Sequence, residues 1–304
     1  MSGSGTRYAD WIAVDWGTSH LRAWAMRDGA PTAEATSDRG MGRLGSADFE
    51  PALLDLVEPW LEQDRTTVVA CGMVGSRQGW AEAPYAQVPA RPSSDRLTRP
   101  ATHDMRLSVH ILPGLKQDSP ADVMRGEETQ IAGYLTANPD FDGVVCLPGT
   151  HTKWAQVSAG EVVSFRTFMT GEIFSLLARQ SVLRHSIGDG WDDAAFAEAV
   201  DQTISRPETL ATRLFSIRAE ALLHDSGPAS ARARLSGTLI GAELAGSRPY
   251  WLGQRIVLIG EAGLSAHYAR ALSLQGLDAQ VIDATDATLA GLTAAWRMLE
   301  EALT

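Results

Sequence analysis

Asp15-Trp16-Gly17-Thr18-Ser19-His20 gathers chemistry-bearing residues close to the N-terminus. Asp15 ends the apolar run at 11–15, Gly17 lets backbone approach a ligand closely, and Thr18 and Ser19 add hydroxyls and N–H groups at a turn. Such a turn can hold Mg²⁺ through Asp15 and the terminal phosphates of a nucleotide through its backbone. An ordinary Asp-Gly β-turn carries the same residues, so the weight comes from repetition. Pro148-Gly149-Thr150-His151-Thr152-Lys153 follows a second apolar run, Gly143–Leu147, and is the same device. A third turn, Gly260-Glu261-Ala262-Gly263, follows the run at 255–259 and opens a helix. Gly260 and Gly263 there would let a flat ring lie against backbone; the plainer role is helix-on-strand packing.

Other chemistries are excluded. Arg39-Gly40-Met41-Gly42-Arg43-Leu44-Gly45 contains G-x-G-x-x-G, but polar residues precede it and the next strand ends in Cys71-Gly72 rather than an acid. A dinucleotide site needs the opposite on both counts. The chain lacks a G-x-x-x-x-G-K-[ST] phosphate loop and any zinc-type Cys/His spacing. His151, inside the second turn, reads as structural.

These turns need strands before them and hairpins after them. Residues 11–15 and 21–26 read as an antiparallel hairpin, 33–37 as a third strand, 50–63 as a helix kinked or ended by Pro59, and 67–71 as a buried strand. Residues 72–112 read as loop, with Pro84, Pro89, Pro92 and Pro100, and 123–135 as a helix. The block then repeats: strand 143–147, strand 153–157, strand 161–168, helices within 173–246 (one started by Asp192 and Asp193), strand 255–259, helix 264–275, strand 279–282 and helix 287–303. The expected fold is α/β with two domains, 1–135 and 136–304, around a cleft, the last helix crossing back to the first domain.

The 304 residues suffice for two such domains, and 44% hydrophobic with 21% charged is a globular balance. Cys71 and Cys146 both sit in apolar runs, which fits buried thiols and no disulfide framework. No apolar run approaches the about 18 residues of a membrane span, and the first residues lack a signal-peptide core. A net charge of −11 without a basic stripe argues against nucleic-acid partners. A small anion is still admissible, because a few arginines reverse the field locally.

The three turns, in the order phosphate one, phosphate two, adenosine, resemble those of the actin-like ATPase and sugar-kinase superfamily. Ala287-Thr288-Leu289-Ala290-Gly291-Leu292 is similar to its second connecting segment. More narrowly, Ala70-Cys71-Gly72-Met73-Val74-Gly75-Ser76-Arg77-Gln78-Gly79-Trp80 resembles the 2-dehydro-3-deoxygalactonokinase family. So do Glu82-Ala83-Pro84-Tyr85, Arg125-Gly126-Glu127-Glu128-Thr129-Gln130 and Phe168-Met169-Thr170-Gly171-Glu172, and the likeness covers about residues 10–300.

The resemblance implies a duplicated ribonuclease-H-like fold and a cytoplasmic enzyme that uses ATP and Mg²⁺. Its reaction would convert 2-dehydro-3-deoxy-D-galactonate to the 6-phosphate in galactonate catabolism. Asp15 would hold the metal. Gly17, Thr18, Ser19, Arg22, Gly149, Thr150, Thr152 and Lys153 would hold phosphates, and Gly260, Glu261 and Gly263 the adenosine. Glu127 stands where related carbohydrate kinases place a catalytic Asp, with Glu128 as the neighbouring choice; both could instead favour the start of a helix. Arg77 would take the substrate carboxylate, with Gln78, Ser76, Met73 and Trp80 around it. Tyr85 could wall the same pocket. The sequence leaves room for a homo-oligomer. An exopolyphosphatase-like phosphatase would need a basic channel, and a non-catalytic sugar-acid sensor would add a DNA-binding segment, whereas about ten residues precede the first strand.

Overall fold

A computed structural model describes residues 8–93 and 96–303, the last by its backbone alone. The chain divides into two compact units: one runs to Phe141 and takes in Ala159–Val163 and the segment from Ala284 on, the other comprises Asp142–Ser158 and Ser164–Asp283.

The first unit is built on β1 (Trp11–Trp16), β2 (Leu21–Arg27), β3 (Ala30–Ser37) and β4 (Thr66–Gly72). Alternation along β1 dictates its two faces. Ile12, Val14 and Trp16 join the core beneath α1 (Phe49–Val57), whereas Trp11 and Ala13 join a second core with Val69, Cys71 and Leu292. The helix expected at 50–63 stops at Val57 and tightens into a 3-10 turn, Glu58–Trp60, because Pro59 cannot continue an α-helix. Within the region expected to be loop lie β5 (Tyr85–Gln87) and β6 (Leu107–Ile111). β6 pairs in parallel with β4, and its buried Leu107, Val109 and Ile111 alternate as a strand's should.

Next come β7 (Gly114–Asp118), β8 (Ala121–Met124) and α2 (Glu127–Ala137). The single helix expected at 123–135 is therefore a strand end followed by a helix. Gly126, with φ of 109°, breaks the run between them. The main sheet has the order β3-β2-β1-β4-β6, and β5-β7-β8 form a small sheet.

The second unit repeats the main order. Strands β9 (Gly143–Leu147), β10 (Thr152–Ser158), β11 (Glu161–Phe168), β12 (Ile256–Gly260) and β13 (Gln280–Asp283) lie as β11-β10-β9-β12-β13. In both sheets an antiparallel hairpin precedes a parallel partner. Helices α3 (Thr170–Gln180), α4 (Asp193–Ser205), α5 (Leu210–Leu223), α6 (Pro228–Gly246), α7 (Arg248–Trp251) and α8 (Ala262–Ser273) belong to this unit. Asp192 caps α4 by accepting from the Ala195 N–H at 3.0 Å. Gly237 of α6 lies where a Cβ would come within 2.5 Å of the Phe196 carbonyl oxygen, so α4 and α6 touch backbone to backbone.

Helix α9 (Ala284–Leu303) belongs to the first unit. Trp296 on it stacks on Trp11 at 5.2 Å, and Gly133 and Gly291 let α2 and α9 interlock. A Cβ on Gly291 would stand 2.0 Å from the Thr129 carbonyl oxygen.

Candidate active site

In the first unit Asp15 stands at the end of β1, opposite Arg22 on β2 and beside Cys71 on β4. Arg22 donates to Asp15 Oδ2 at 2.6 Å and to the Thr285 hydroxyl at 3.2 Å. The turn carrying Gly17, Thr18 and Ser19 is exposed at its tip. It is braced from behind, since Met41 N–H donates to Gly17 O and Gly42 N–H to Thr18 O. A Cβ at Gly40 would fall 2.2 Å from the Ser19 carbonyl carbon. The G-x-G-x-x-G segment is thus the rear support of this turn.

A cavity of about 140 Å³ opens beside Asp15 and is bordered by Gly17, Met73, Arg125, Glu127 and Gln130. Gly72, with φ of 90°, closes β4 under it, where a Cβ would meet the Trp16 carbonyl oxygen at 2.7 Å. Glu127 borders this cavity and accepts from the Arg125 N–H at 3.0 Å. Glu128 turns inward. It is 1% exposed, and both its carboxylate oxygens accept from the Gly126 N–H. Burial, and then the charge of Glu127, push the Glu128 carboxyl up to about 7. Cys71 lies 3.8 Å from Asp15 Oδ1, and burial with the Asp15 and Glu128 charges raises its thiol well above the ordinary value.

The remaining substrate-side residues scatter. Arg77 and Gln78 are exposed and do not border the cavity. Ser76 is buried, and its hydroxyl reaches no hydrogen-bond partner. Trp80 packs into the core, edge-on to Trp16 and stacked on Phe49, each at 6.3 Å.

In the second unit Gly149 and Thr150 form the turn between β9 and β10. The start of α3 is pressed against it. A Cβ at Gly171 would stand 2.3 Å from the Gly149 carbonyl oxygen, Glu172 N–H donates to Thr150 O, and His151 pairs with Glu172 at 2.6 Å. Thr152 and Lys153 lie inside the fold. Thr152 shares a hydrogen bond with the Tyr268 hydroxyl at 2.9 Å, and the Lys153 ammonium donates to the Thr167 hydroxyl at 2.8 Å. Tyr268 in turn donates to Glu243, which also accepts from Trp154 and Thr170. Burial pushes the Glu243 carboxyl up to about 7.

Beside Gly149 and Thr150 lies a pocket of about 310 Å³, mostly apolar, walled by Phe174, Trp191, Leu264 and His267, with Arg232 at its edge. Trp191 and His267 stack with centroids 3.8 Å apart, and Arg232 lies over the Phe174 ring. Gly260 and Gly263 do not border it. A Cβ at Gly260 would strike the Ser265 hydroxyl at 2.7 Å, and the Gly263 N–H is taken by Glu261, which caps α8 with its carboxyl held below the usual range. Sequence reasoning missed Phe174, Trp191, Arg232 and His267. They come from three helices and a loop, and no local motif joins them.

An oxygen site around Asp15 fits Mg²⁺ of one kind only. No group of three or more His, Cys, Asp or Glu among the described residues forms a cage. A single carboxylate suits an ion held chiefly by water and nucleotide phosphates.

Two sheets of identical order, each with a glycine turn after its first strand, define the duplicated ribonuclease-H-like, actin-like ATPase fold. The sequence profile of the 2-keto-3-deoxy-galactonokinase family matches residues 15–295. A curated relative from Rhizobium meliloti (strain 1021), "Probable 2-dehydro-3-deoxygalactonokinase DgoK1", is 40% identical over 95% of this chain and 97% of its own. The 2-dehydro-3-deoxygalactonokinase of Escherichia coli (strain K12) is 35% identical over 93% of this chain and 96% of its own. A crystal structure of a Sinorhizobium meliloti protein named for the same activity has a TM-score of 0.88 at 40% identity, covering 94% of this chain and 98% of the other. The chain belongs to the 2-keto-3-deoxy-galactonokinase family and is a kinase.

Proposed function

We propose that the chain transfers the γ-phosphoryl group of ATP to the 6-hydroxyl of 2-dehydro-3-deoxy-D-galactonate, in the cytoplasm, with Mg²⁺. The observation that carries this reading is a family match spanning nearly the whole chain, on a fold whose Asp15 and Glu127 border one cavity. Glu127 is the base. It faces the cavity, whereas Glu128 is buried against backbone. A carboxylate there accepts the hydroxyl proton as the phosphoryl group moves. Asp15 holds the metal, which when bound neutralises charge developing on the transferred phosphoryl group. Arg22, fixed by Asp15 and Thr285, keeps that carboxylate oriented and offers positive charge beside the turn.

In the second unit the turn at Gly149 and Thr150 takes phosphate through backbone N–H groups. The pocket of Trp191, Phe174 and His267 takes the adenine ring, since flat apolar walls suit a flat base. Thr152, Lys153 and Glu261 act behind these surfaces, holding β10 and the start of α8. The test is ADP release measured with a panel of sugars. Turnover is expected with the 2-keto-3-deoxy acid and not with neutral hexoses; equal turnover of hexoses contradicts the substrate assignment.

A further inference from the structure

The cavity beside Asp15 poses an electrostatic problem. Its border carries the carboxylates of Asp15 and Glu127, yet the proposed substrate is itself an anion. Among the described residues that border it, Arg125 alone carries a cationic side chain. Arg22 is committed to Asp15, and Arg39 and Arg43 pair with Asp55 and Asp38.

Arg125 is 8% exposed and forms no ion pair with any described residue. Nη2 donates to the Ala83 carbonyl at 2.7 Å, and the guanidinium lies over the Tyr85 ring at 4.2 Å. Its Nε and Nη1 are buried without any hydrogen-bond partner, and so is the nearby Ser76 hydroxyl. Gly75 makes room for the head, since a Cβ there would come within 2.9 Å of Nη1. A buried guanidinium with two idle donors is costly unless something completes it. Nε and Nη1 lie on different edges of the guanidinium; once Nη2 leaves the Ala83 carbonyl, the Nε/Nη2 edge presents the planar, paired N–H donors that a carboxylate completes best. The buried Glu128 carboxylate is no partner for it, since its oxygens are turned to the Gly126 N–H.

We infer that Arg125 binds the carboxylate of the sugar acid and sets the preference for an acid over a neutral sugar. This rests on the reading above of the substrate as a keto-deoxy acid. To engage, the guanidinium head turns from the Ala83 carbonyl toward the cavity while Tyr85 continues to cover its face. Exposed Arg77 lies outside this arrangement.

The test measures kcat/KM for the 2-keto-3-deoxy acid and for its C1 carboxamide, in the parent and in Arg125→Gln, Arg125→Lys and Arg77→Ala. The parent is expected to favour the acid. Arg125→Gln should raise the KM for the acid roughly 10- to 100-fold, leave the KM for ATP unchanged and erase the acid preference. Arg125→Lys should keep part of that preference, because charge survives while the fork is lost. If Arg125→Gln does not fold, Arg125→Lys decides: an acid preference equal to the parent's overturns the inference. Loss of preference in Arg77→Ala with retention in Arg125→Gln also overturns it. A parent that uses acid and amide equally sinks this inference alone. A parent that uses neither overturns the proposed reaction, and Arg125 as an anchor for this acid with it.

Discussion

Glu127 and Glu128 are neighbours in sequence and occupy different worlds. Successive helical positions point about 100° apart, so one faces the cavity and the other the core. Glu127→Gln keeps size and packing but removes the proton acceptor, so kcat should fall about 10²- to 10⁴-fold. Sugar-acid and ATP binding, read by calorimetry, should stay within a few-fold. Glu128→Gln retains an oxygen acceptor for the Gly126 N–H, and its kcat should stay near the parent's. A dead Glu128→Gln beside an active Glu127→Gln would reverse the assignment. The acid pair at 127–128, and through the resemblance a preference for Glu127, was legible in the sequence; the opposite placement of the two side chains was not. Nothing in Gly-Glu-Glu-Thr specifies that Gly126 adopts φ of 109° and starts α2 there. The buried state of Ser76 and Arg125 was equally hidden, because it depends on how the loop 73–85 folds over β6.

At the scale of elements, glycines decide where backbones touch. Gly40 admits the 40–42 segment behind the turn at Gly17–Ser19, where a Cβ would fall 2.2 Å from the Ser19 carbonyl carbon. Gly40→Ala must therefore push that turn or its support out of place. Overpacking of this kind costs about 1–3 kcal/mol. The expected signature is a fall in kcat/KM for ATP of at least about tenfold, since a turn shifted by an ångström misplaces phosphate. Thermal melting and ATP kinetics on the same sample check both; normal ATP kinetics would show that the turn does not need this brace. The strand–turn units were readable because apolar runs end abruptly in small turns, Pro148-Gly149 after Leu147 and Gly260 after Ile259. Strand β6 was not, although Leu107, Val109 and Ile111 alternate. Prolines around it signalled loop, and its burial comes from pairing with β4 across forty residues of chain. The G-x-G-x-x-G segment braces the turn at Gly17–Ser19 from behind, a tertiary contact that no local pattern announces.

At the scale of the whole molecule, two buried carboxyls among the described residues, Glu128 and Glu243, are each pushed to about 7 from an ordinary 4.5. The folded state keeps them protonated where the unfolded chain has already ionised. Their contribution to stability is fully present below 4.5 and is lost as pH rises through 7. Melting temperature should therefore decline between about pH 6.5 and about pH 8; below that, His110, held by burial down to about 4, and His267, also lowered by burial, lose stability as pH falls and offset the two carboxyls. Glu243→Gln should flatten that decline, and an unchanged slope would show that Glu243 does not titrate in this window. Carboxylates held low, such as Asp192 and Glu261, act in the opposite sense below their ordinary values and leave this window clear. All of this stability serves a scaffold whose proposed work is one phosphoryl transfer, and the product shows that work directly. Phosphorus–proton correlated NMR on the completed reaction of ATP, Mg²⁺ and 2-dehydro-3-deoxy-D-galactonate should find ADP and the 6-phosphate monoester in equal amounts. Inorganic phosphate without an ester, or an ester on a different hydroxyl, would contradict the proposed reaction.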